Sequence, residues 1–201
     1  MDEYQRGISQ ALARSQDAIE LAALARDEMP SMTFLHDAAE WGHRFGEGRT
    51  VRDSWTLALR DRSASGELIG FAWVDDAMFV DANILEPWWC INAVAVASKY
   101  RRRGLGTRLV AHILDAATVA GVVLVYGQSL PTAVAFWQNS GFLVGAEGEP
   151  LRTHSAARRS TGDPVMLRLP PDGSDRWFVR YTAVQPGSVQ SGLIPASFVE
   201  G

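Results

Sequence analysis

The central stretch of this sequence is Arg101-Arg102-Arg103-Gly104-Leu105-Gly106-Thr107, which lies between a strand-like apolar segment, 91–96, and a helix-like amphipathic segment, 109–120. Glycine lets a backbone pass close to a ligand and adopt positive φ angles. The first amides of a helix have no intrahelical partner and favour an anion. Adjacent guanidinium groups bind phosphate oxygens through paired hydrogen bonds. The stretch therefore predicts a loop that binds a pyrophosphate.

Two common nucleotide-binding motifs do not fit this loop. A P-loop needs a lysine directly after its last glycine, whereas Thr107 follows Gly106. A dinucleotide-binding loop needs a glycine at the position of Leu109, and its glycines follow the strand directly. The pattern that fits is Arg/Gln-x-x-Gly-x-Gly/Ala between a strand and a helix, with Arg101, Gly104 and Gly106 at the matching positions. This pattern resembles the acyl-CoA loop of the GNAT superfamily of N-acyltransferases.

Composition and charge limit the class of protein. The chain has 201 residues, 47% hydrophobic and 21% charged, which is typical of a soluble globular protein of one domain with an appendage. The formal net charge of −4 argues against a general nucleic-acid binder. Cys90 is the single cysteine, and no apolar run approaches the ~20 residues of a membrane span, so we expect a cytoplasmic protein. His36 and His43 have no partner at metal-ligand spacing, and we expect no metal.

Hydrophobic periodicity predicts helices at the N-terminus, followed by alternating strands and helices. No strand is predicted before the first helix. Pro131 is expected to open the last helix, and Gly121 to end the one before it. The predicted helices are 2–29, 33–45, 105–120 and 131–139. The predicted strands are 54–60 and 68–74, which form a hairpin, and then 88–96, 122–126, 142–144 and 165–169.

Two further segments carry the family resemblance. The segment 133–142, Ala-Val-Ala-Phe-Trp-Gln-Asn-Ser-Gly-Phe, is similar to the GNAT helix Ala-x-x-x-Tyr-x-x-x-Gly-Phe. Gly70-Phe71 resembles the Gly-aromatic pair of the family's third strand. The resemblance covers roughly residues 54–169 and implies an α+β fold, an α/β/α sandwich. Its sheet is expected to be mixed and mostly antiparallel, with a splayed central parallel strand pair and helices on its flanks.

The resemblance also implies a division of the chain. We expect a GNAT-like acyltransferase domain over 1–169, with its N-terminal helices within 2–45. A C-terminal extension follows over 170–201. Within this extension, 176–184 has the composition of a strand. We expect this extra strand to pair at an open sheet edge, within the chain or across a dimer.

Acetyl-CoA is the co-substrate that the resemblance implies. Backbone groups of Val94 and Val96 would pair with its pantetheine arm, and its pyrophosphate would lie over the loop. A backbone amide near Val94 to Val96 would stabilise the negative charge that grows on the thioester oxygen. No covalent enzyme intermediate and no metal is implied. The implied cofactor-binding residues are Val94, Ala95, Val96, Arg101, Arg102, Arg103, Gly104, Leu105, Gly106 and Thr107.

Two positions depart from the family pattern. Trp137 stands where a tyrosine often protonates the leaving thiolate, and an indole cannot supply that proton near neutral pH. Leu130 stands where an asparagine usually contacts the pantetheine arm. Tyr126, Ser129, Cys90 and water are the remaining sources of the proton. No general base can be named, so the catalytic acid and base stay unassigned.

The expected function is transfer of an acetyl group from acetyl-CoA to an amine of an unidentified small-molecule or peptide acceptor, by direct attack in a ternary complex. Trp137 and the missing base favour an alternative, an acyl-CoA-binding module with little or no turnover. A third hypothesis is an RNA- or ribosome-directed protein that uses 101–103 and 158–159, against which the net charge argues. No membrane partner is expected, and a homodimer stays open. The candidates for an aromatic acceptor pocket, or for the core, are Trp41, Trp55, Trp73, Trp88 and Trp89.

Overall fold

The structure is a computed structural model, which describes residues 7–45, 54–63, 66–76, 88–122, 124–149, 151–153, 165–167, 175–182 and 193–195. The strands are β1 Ile8–Leu12, β2 Ser54–Asp61, β3 Glu67–Asp76, β4 Trp88–Val96, β5 Leu124–Ser129, β6 Leu143–Val144, β7 Leu151–Thr153, β8 Val165–Leu167, β9 Arg176–Tyr181 and β10 Leu193–Pro195. The α-helices are α1 Ala18–Glu28, α2 Leu105–Val119 and α3 Val134–Asn139. The 3-10 helices are Ser15–Asp17, Thr33–His36, Ala38–Arg44, Ser98–Tyr100 and Pro131–Ala133.

Seven of the described strands form a mixed sheet in the order β1-β2-β3-β4-β5-β9-β6. The pairs β1/β2, β2/β3, β5/β9 and β6/β9 are antiparallel, whereas β4 and β5 are parallel. Parallel register runs from Trp88↔Leu124 to Ile91↔Gly127, although β4 continues to Val96. Three other strands form a second sheet in the order β10-β7-β8. The predicted fold class is confirmed.

The chain divides into two compact units. The first unit comprises Met1–Asp75 and Asn92–His112, and the second comprises Asp76–Ile91 and Ile113–Gly201. None of the described helices is both long enough and apolar enough to cross a membrane.

The N-terminal part of the first unit contains a strand where the sequence predicted only helix. β1 pairs antiparallel with β2, from Ile8↔Asp61 to Leu12↔Leu57. The helix predicted over 2–29 is therefore wrong in its first part, and residues 1–6 lie outside the described ones. Ile8 and Leu12 are four residues apart, a spacing that fits one face of a helix and one face of a strand equally. The neighbouring strand decides between the two.

The helix predicted over 33–45 is two 3-10 turns. They are separated at Asp37, whose backbone is extended (φ −100°, ψ 128°) and whose carboxylate accepts a hydrogen bond from the Ala39 amide at 2.9 Å. An N-terminal carboxylate cap of this kind satisfies an amide that has no intrahelical acceptor. Trp41 is fully buried, donates to the Leu35 carbonyl at 2.9 Å and packs edge-on against Phe71. These turns and α1 cover one face of β2, β3 and β4.

The second unit contains the predicted C-terminal strand, but not at a sheet edge. β9 lies between β5 and β6, and it pairs with β5 over six residues, from Leu124↔Tyr181 to Ser129↔Arg176. β9 therefore satisfies backbone groups on both of its sides, and pairing at an open edge was wrong. Of the strand predicted over 165–169, residues 165–167 form β8 in the second sheet, and 168–169 lie outside the described residues.

A glycine makes the close packing of β5 possible. A Cβ atom on Gly127 would lie 2.4 Å from the Ile91 carbonyl oxygen and 2.5 Å from the Phe178 ring. Contacts this short exclude any side chain at this position without movement of the backbone.

Candidate functional site

The arginine–glycine stretch lies where the sequence predicted, between a strand and a helix. β4 ends at Val96, the 3-10 turn Ser98–Tyr100 follows, and α2 begins at Leu105. The Ala97 amide donates to the Ile69 carbonyl of β3 at 2.9 Å, and the Tyr100 amide donates to the Ala97 carbonyl at 2.8 Å. The backbone that leads into the stretch is therefore fixed to the sheet.

Positive φ angles shape the backbone of the stretch itself. Gly104 has φ +76° and Arg102 has φ +59°, which is uncommon for a residue with a side chain. Both residues are exposed. A non-glycine residue held in this region stores strain, and such residues cluster at ligand-binding sites.

Helix α2 presents its first amides at the same place. The Arg108 amide donates to the Gly104 carbonyl at 2.9 Å, which is the first backbone hydrogen bond of the helix. The amides of Leu105, Gly106 and Thr107 precede it, so they have no acceptor within the helix. The helix dipole adds partial positive charge at this end. The backbone is thus suited to an anion.

The three arginines of the stretch have different surroundings. Arg101 donates from Nε to the Val96 carbonyl at 3.1 Å, and its guanidinium forms an ion pair with Glu28. Arg102 makes no hydrogen bond or ion pair with any described residue. Arg103 donates to the Lys99 carbonyl at 3.3 Å. The sequence assigned all three to the pyrophosphate, and in the structure the side chains of Arg101 and Arg103 also contact the protein itself.

Two carboxylates that the sequence analysis missed hold the segment before the loop. Glu28, at the end of α1, accepts from the Ser98 amide at 2.6 Å, and its side chain is 8% exposed. Glu67, at the start of β3, binds Lys99 Nζ at 2.7 Å and accepts from the Tyr100 hydroxyl at 3.1 Å.

The Lys99 hydrogen bond is the main reason why the pKa of Glu67 is lowered from its ordinary value of 4.5. In the sequence Glu28 lies 73 residues before its partner Arg101. Glu67 lies 32 residues before its partner Lys99. No local motif signals contacts over such distances in the sequence.

The predicted strand residues Val94, Ala95 and Val96 lie close to the loop in the first unit. Ala95 is buried on the face that packs against α1, and Val94 and Val96 are half-buried on the other face. A Cβ atom on Gly70 would lie 2.9 Å from the Ala95 carbonyl oxygen, so β3 approaches β4 closely here. The Arg101 hydrogen bond to Val96 joins the two predicted groups of cofactor-binding residues.

Trp137, which stands at the family's tyrosine position, is a core residue of the second unit. Its side chain is stacked on Phe178 at 3.7 Å between ring centroids, and it lies edge-on to Phe142 at 5.3 Å. Tyr126 is 1% exposed. The hydroxyl of Ser129 donates to the Leu130 carbonyl at 2.9 Å. None of these contacts identifies a proton donor, and the catalytic acid and base remain unassigned.

The tryptophans considered for an acceptor pocket belong mainly to the core. Trp55 alone among them is half-buried. The buried ones, each at most 9% exposed, are Trp41, Trp73, Trp88 and Trp89.

Comparison with protein-family models matches residues 19–142, more than half of the chain, to the model described as the acetyltransferase (GNAT) family. No protein of curated function matches the chain by sequence. At the level of structure, the chain resembles Arabidopsis thaliana NAA60 in complex with acetyl-CoA, with a TM-score of 0.62 and 18% identity, covering 87% of this chain and 98% of that one.

Two further solved structures share the architecture. The ribosomal-protein-S18-alanine N-acetyltransferase of Escherichia coli has a TM-score of 0.55 and 15% identity, covering 91% of this chain and 99% of its own. An aminoglycoside 6'-acetyltransferase type Ii has a TM-score of 0.58 and 16% identity, and the match covers 89% of this chain and 99% of that one. At these identities the likeness shows the fold.

Proposed function

Because the chain belongs to the GNAT family of acetyltransferases, we propose that it transfers the acetyl group of acetyl-CoA to an amine of a small-molecule or peptide acceptor. The observation that carries the proposal is the loop before α2, which combines free helix amides, a positive-φ glycine and an exposed arginine.

Three features of the loop support the proposal that it binds a diphosphate. The amides of Leu105, Gly106 and Thr107 can donate to phosphate oxygens, since the helix supplies them with no acceptor. The exposed Gly104 lets the phosphates come close to the backbone, because it has no side chain in the way. Arg102 has no partner among the described residues, and it adds a full positive charge beside these donors.

We assign the reacting end of the cofactor to β4. When bound, acetyl-CoA would supply a thioester: the amine nitrogen forms a bond to its carbonyl carbon, the carbon–sulfur bond breaks to release the thiolate, and the proton that the amine loses passes to the thiolate or to water. The backbone groups of Val94, Ala95 and Val96 bind the pantetheine arm, and one amide there donates to the carbonyl oxygen. A fixed amide stabilises developing negative charge because it needs no reorganisation during the reaction.

Direct attack by the amine explains why the site needs no nucleophile. The loop and the end of β4 contain no serine–histidine or cysteine–histidine pair. A thiolate is a good leaving group, so the reaction proceeds without a strong acid at the position of Trp137. We therefore propose a ternary complex of protein, acetyl-CoA and amine, without a covalent enzyme intermediate.

The acceptor panel can be chosen from the structural relatives. One of these acts on the alanine of ribosomal protein S18, and another acts on aminoglycosides. The test mixes the protein with acetyl-CoA and a panel of peptide N-termini, aminoglycosides and simple polyamines, and measures release of the CoA thiol. Calorimetry with CoA runs in parallel, and intact mass is recorded with acetyl-CoA alone.

We expect micromolar CoA binding, thiol release with at least one amine class, and an unchanged protein mass without amine. Absence of CoA binding would refute the proposal. Binding without thiol release from any amine would favour the binding-module alternative, and a stable acetylated protein would contradict direct attack.

A further inference from the structure

We propose that Glu28 is a positioning residue for acetyl-CoA binding, which acts through Arg101. In this arrangement the side chain of Arg101 holds the backbone of the loop in place, a role that we call a brace. Arg102 and the α2 amides bind the phosphates. The inference rests on the proposed function, because it concerns how the same loop is held in shape.

The carboxylate of Glu28 is buried and bridges two donors. Its side chain is 8% exposed, one oxygen accepts from the Ser98 amide at 2.6 Å, and the other contacts the guanidinium of Arg101. A buried carboxylate is costly unless charged or polar partners compensate it. Ser98 lies in the 3-10 turn that follows β4, and Arg101 is the first residue of the loop. Glu28 therefore joins the end of α1 to the entrance of the loop.

Arg101 is held on several sides. Its Nε donates to the carbonyl of Val96 at 3.1 Å, and its own amide donates to the carbonyl of Ser98 at 3.3 Å. Together with Glu28, these contacts fix Arg101 to the last residue of β4, to the 3-10 turn and to α1. These side-chain contacts use Nε and one terminal nitrogen of a guanidinium that is 54% exposed, so a phosphate that took Arg101 away from Glu28 would remove the link to α1.

The residue that follows needs such a brace. Arg102 has φ +59°, a conformation that persists only where the flanking structure determines it. Arg101 fixes the backbone on one side of Arg102, and Gly104 with the first turn of α2 fixes it on the other. A loop that is already ordered binds its ligand more tightly, because less conformational entropy is lost on binding.

The alternative role for Arg101 makes an opposite prediction. If Arg101 were a phosphate ligand, Glu28 would compete with the phosphate for its guanidinium. Neutralising Glu28 would then free a positive charge and tighten CoA binding. If Arg101 is a brace, neutralising Glu28 loosens the loop and weakens binding. The sign of the effect of Glu28→Gln on CoA affinity therefore separates the two roles.

The experiment measures the Kd of CoA by calorimetry at low and at moderate NaCl concentration. The variants are Glu28→Gln, Arg101→Gln, their double variant and Arg102→Gln. Glu20→Gln is the matched control, since Glu20 lies on the same helix and pairs with Arg60 at 2.5 Å, away from the loop. The melting temperature of each variant without CoA is recorded alongside.

We expect Glu28→Gln and Arg101→Gln each to raise the Kd roughly fivefold to tenfold, as is typical for loss of a charge-assisted contact. The double variant should bind no more weakly than the single ones, because both remove the same brace. In these variants the Kd of CoA should rise with NaCl concentration as steeply as in the wild type. In Arg102→Gln, which loses a phosphate contact, the Kd should rise less steeply with NaCl concentration. Glu20→Gln should bind as the wild type does.

Unchanged or tighter CoA binding by Glu28→Gln would overturn the inference, and so would a flattened salt dependence in Arg101→Gln. If Glu28→Gln does not fold, Arg101→Lys decides, because it keeps the charge and loses the Nε donor to Val96. Weaker binding with normal salt dependence then supports the brace, and wild-type binding refutes it. A wild-type protein that does not bind CoA refutes the proposed function instead, so the two failures are distinguishable.

Discussion

Replacement of Gly104 by alanine separates the role of the loop in binding from its role in folding. Gly104 precedes α2 with φ +76°, and Gly121 follows α2 with φ +69°. Both glycines are exposed, and a Cβ atom on Gly121 would meet no atom within 4 Å. Gly121→Ala is therefore a control that carries the same backbone strain at the opposite end of the same helix.

The expected loss of stability follows from the backbone conformation. An L-residue in the left-handed region costs about 1–2 kcal/mol relative to glycine. For a chain of this size, each kcal/mol lowers the melting temperature by about 2–4 °C. Gly104→Ala and Gly121→Ala should therefore show similar decreases, which thermal unfolding followed by circular dichroism measures.

Only Gly104→Ala should change the affinity for CoA. The added methyl group stands beside the amides of Leu105 and Gly106, and relief of its strain would turn these amides away from the ligand. We expect the Kd of CoA to rise at least tenfold, which corresponds to about 1.4 kcal/mol. Gly121→Ala should keep the wild-type Kd. Equal losses of affinity in both variants, or wild-type affinity in a destabilised Gly104→Ala protein, would refute the assignment of the loop.

Three other predictions concern stability. Gly127→Ala places a Cβ atom 2.5 Å from the ring of Phe178. We expect the free energy of unfolding, measured by urea titration, to fall by about 1–3 kcal/mol. A variant as stable as the wild type would contradict this close packing. Truncation after Leu169 removes β9 from between two strands and should abolish cooperative thermal unfolding, so an unchanged melting temperature would reject its place in the sheet. Because Lys99 lowers the pKa of Glu67 in the folded state, this carboxylate stabilises the fold above pH 4.5, and the contribution is lost as the pH falls through the lowered pKa. Glu67→Gln should therefore destabilise the protein at pH 7, and this loss should become smaller as the pH falls below 4.5; a loss of the same size throughout would argue against the ion pair.

Local patterns were sufficient to predict the central part of the chain. The hairpin of β2 and β3 and the helix α2 each carry the hydrophobic periodicity of their element type, and the dense apolar character of β4 indicates a buried strand. The position of the loop between β4 and α2 follows from the same patterns. The positive φ angle of Gly104 agrees with the glycine that the sequence places there, whereas the positive φ angle of Arg102 has no signal in the sequence.

Features that depend on distant partners were missed or misplaced. Ile8–Leu12 fits a helix and a strand equally, and only its pairing with β2 selects the strand. β9 was predicted as a strand, but its insertion between β5 and β6 depends on the packing of Phe178 against Gly127 and Trp137. Glu28 acts on a residue 73 positions away, so its contact with Arg101 has no local signal.

The most direct test of the pyrophosphate-binding loop is an NMR titration of the ¹⁵N-labelled protein with CoA and, separately, with pantetheine, which lacks the phosphates. We predict that the amide signals of Gly104, Leu105 and Gly106 shift with saturable dependence on CoA and do not shift with pantetheine. Saturable CoA binding that leaves these three signals in place, or equal shifts with both ligands, would contradict the account.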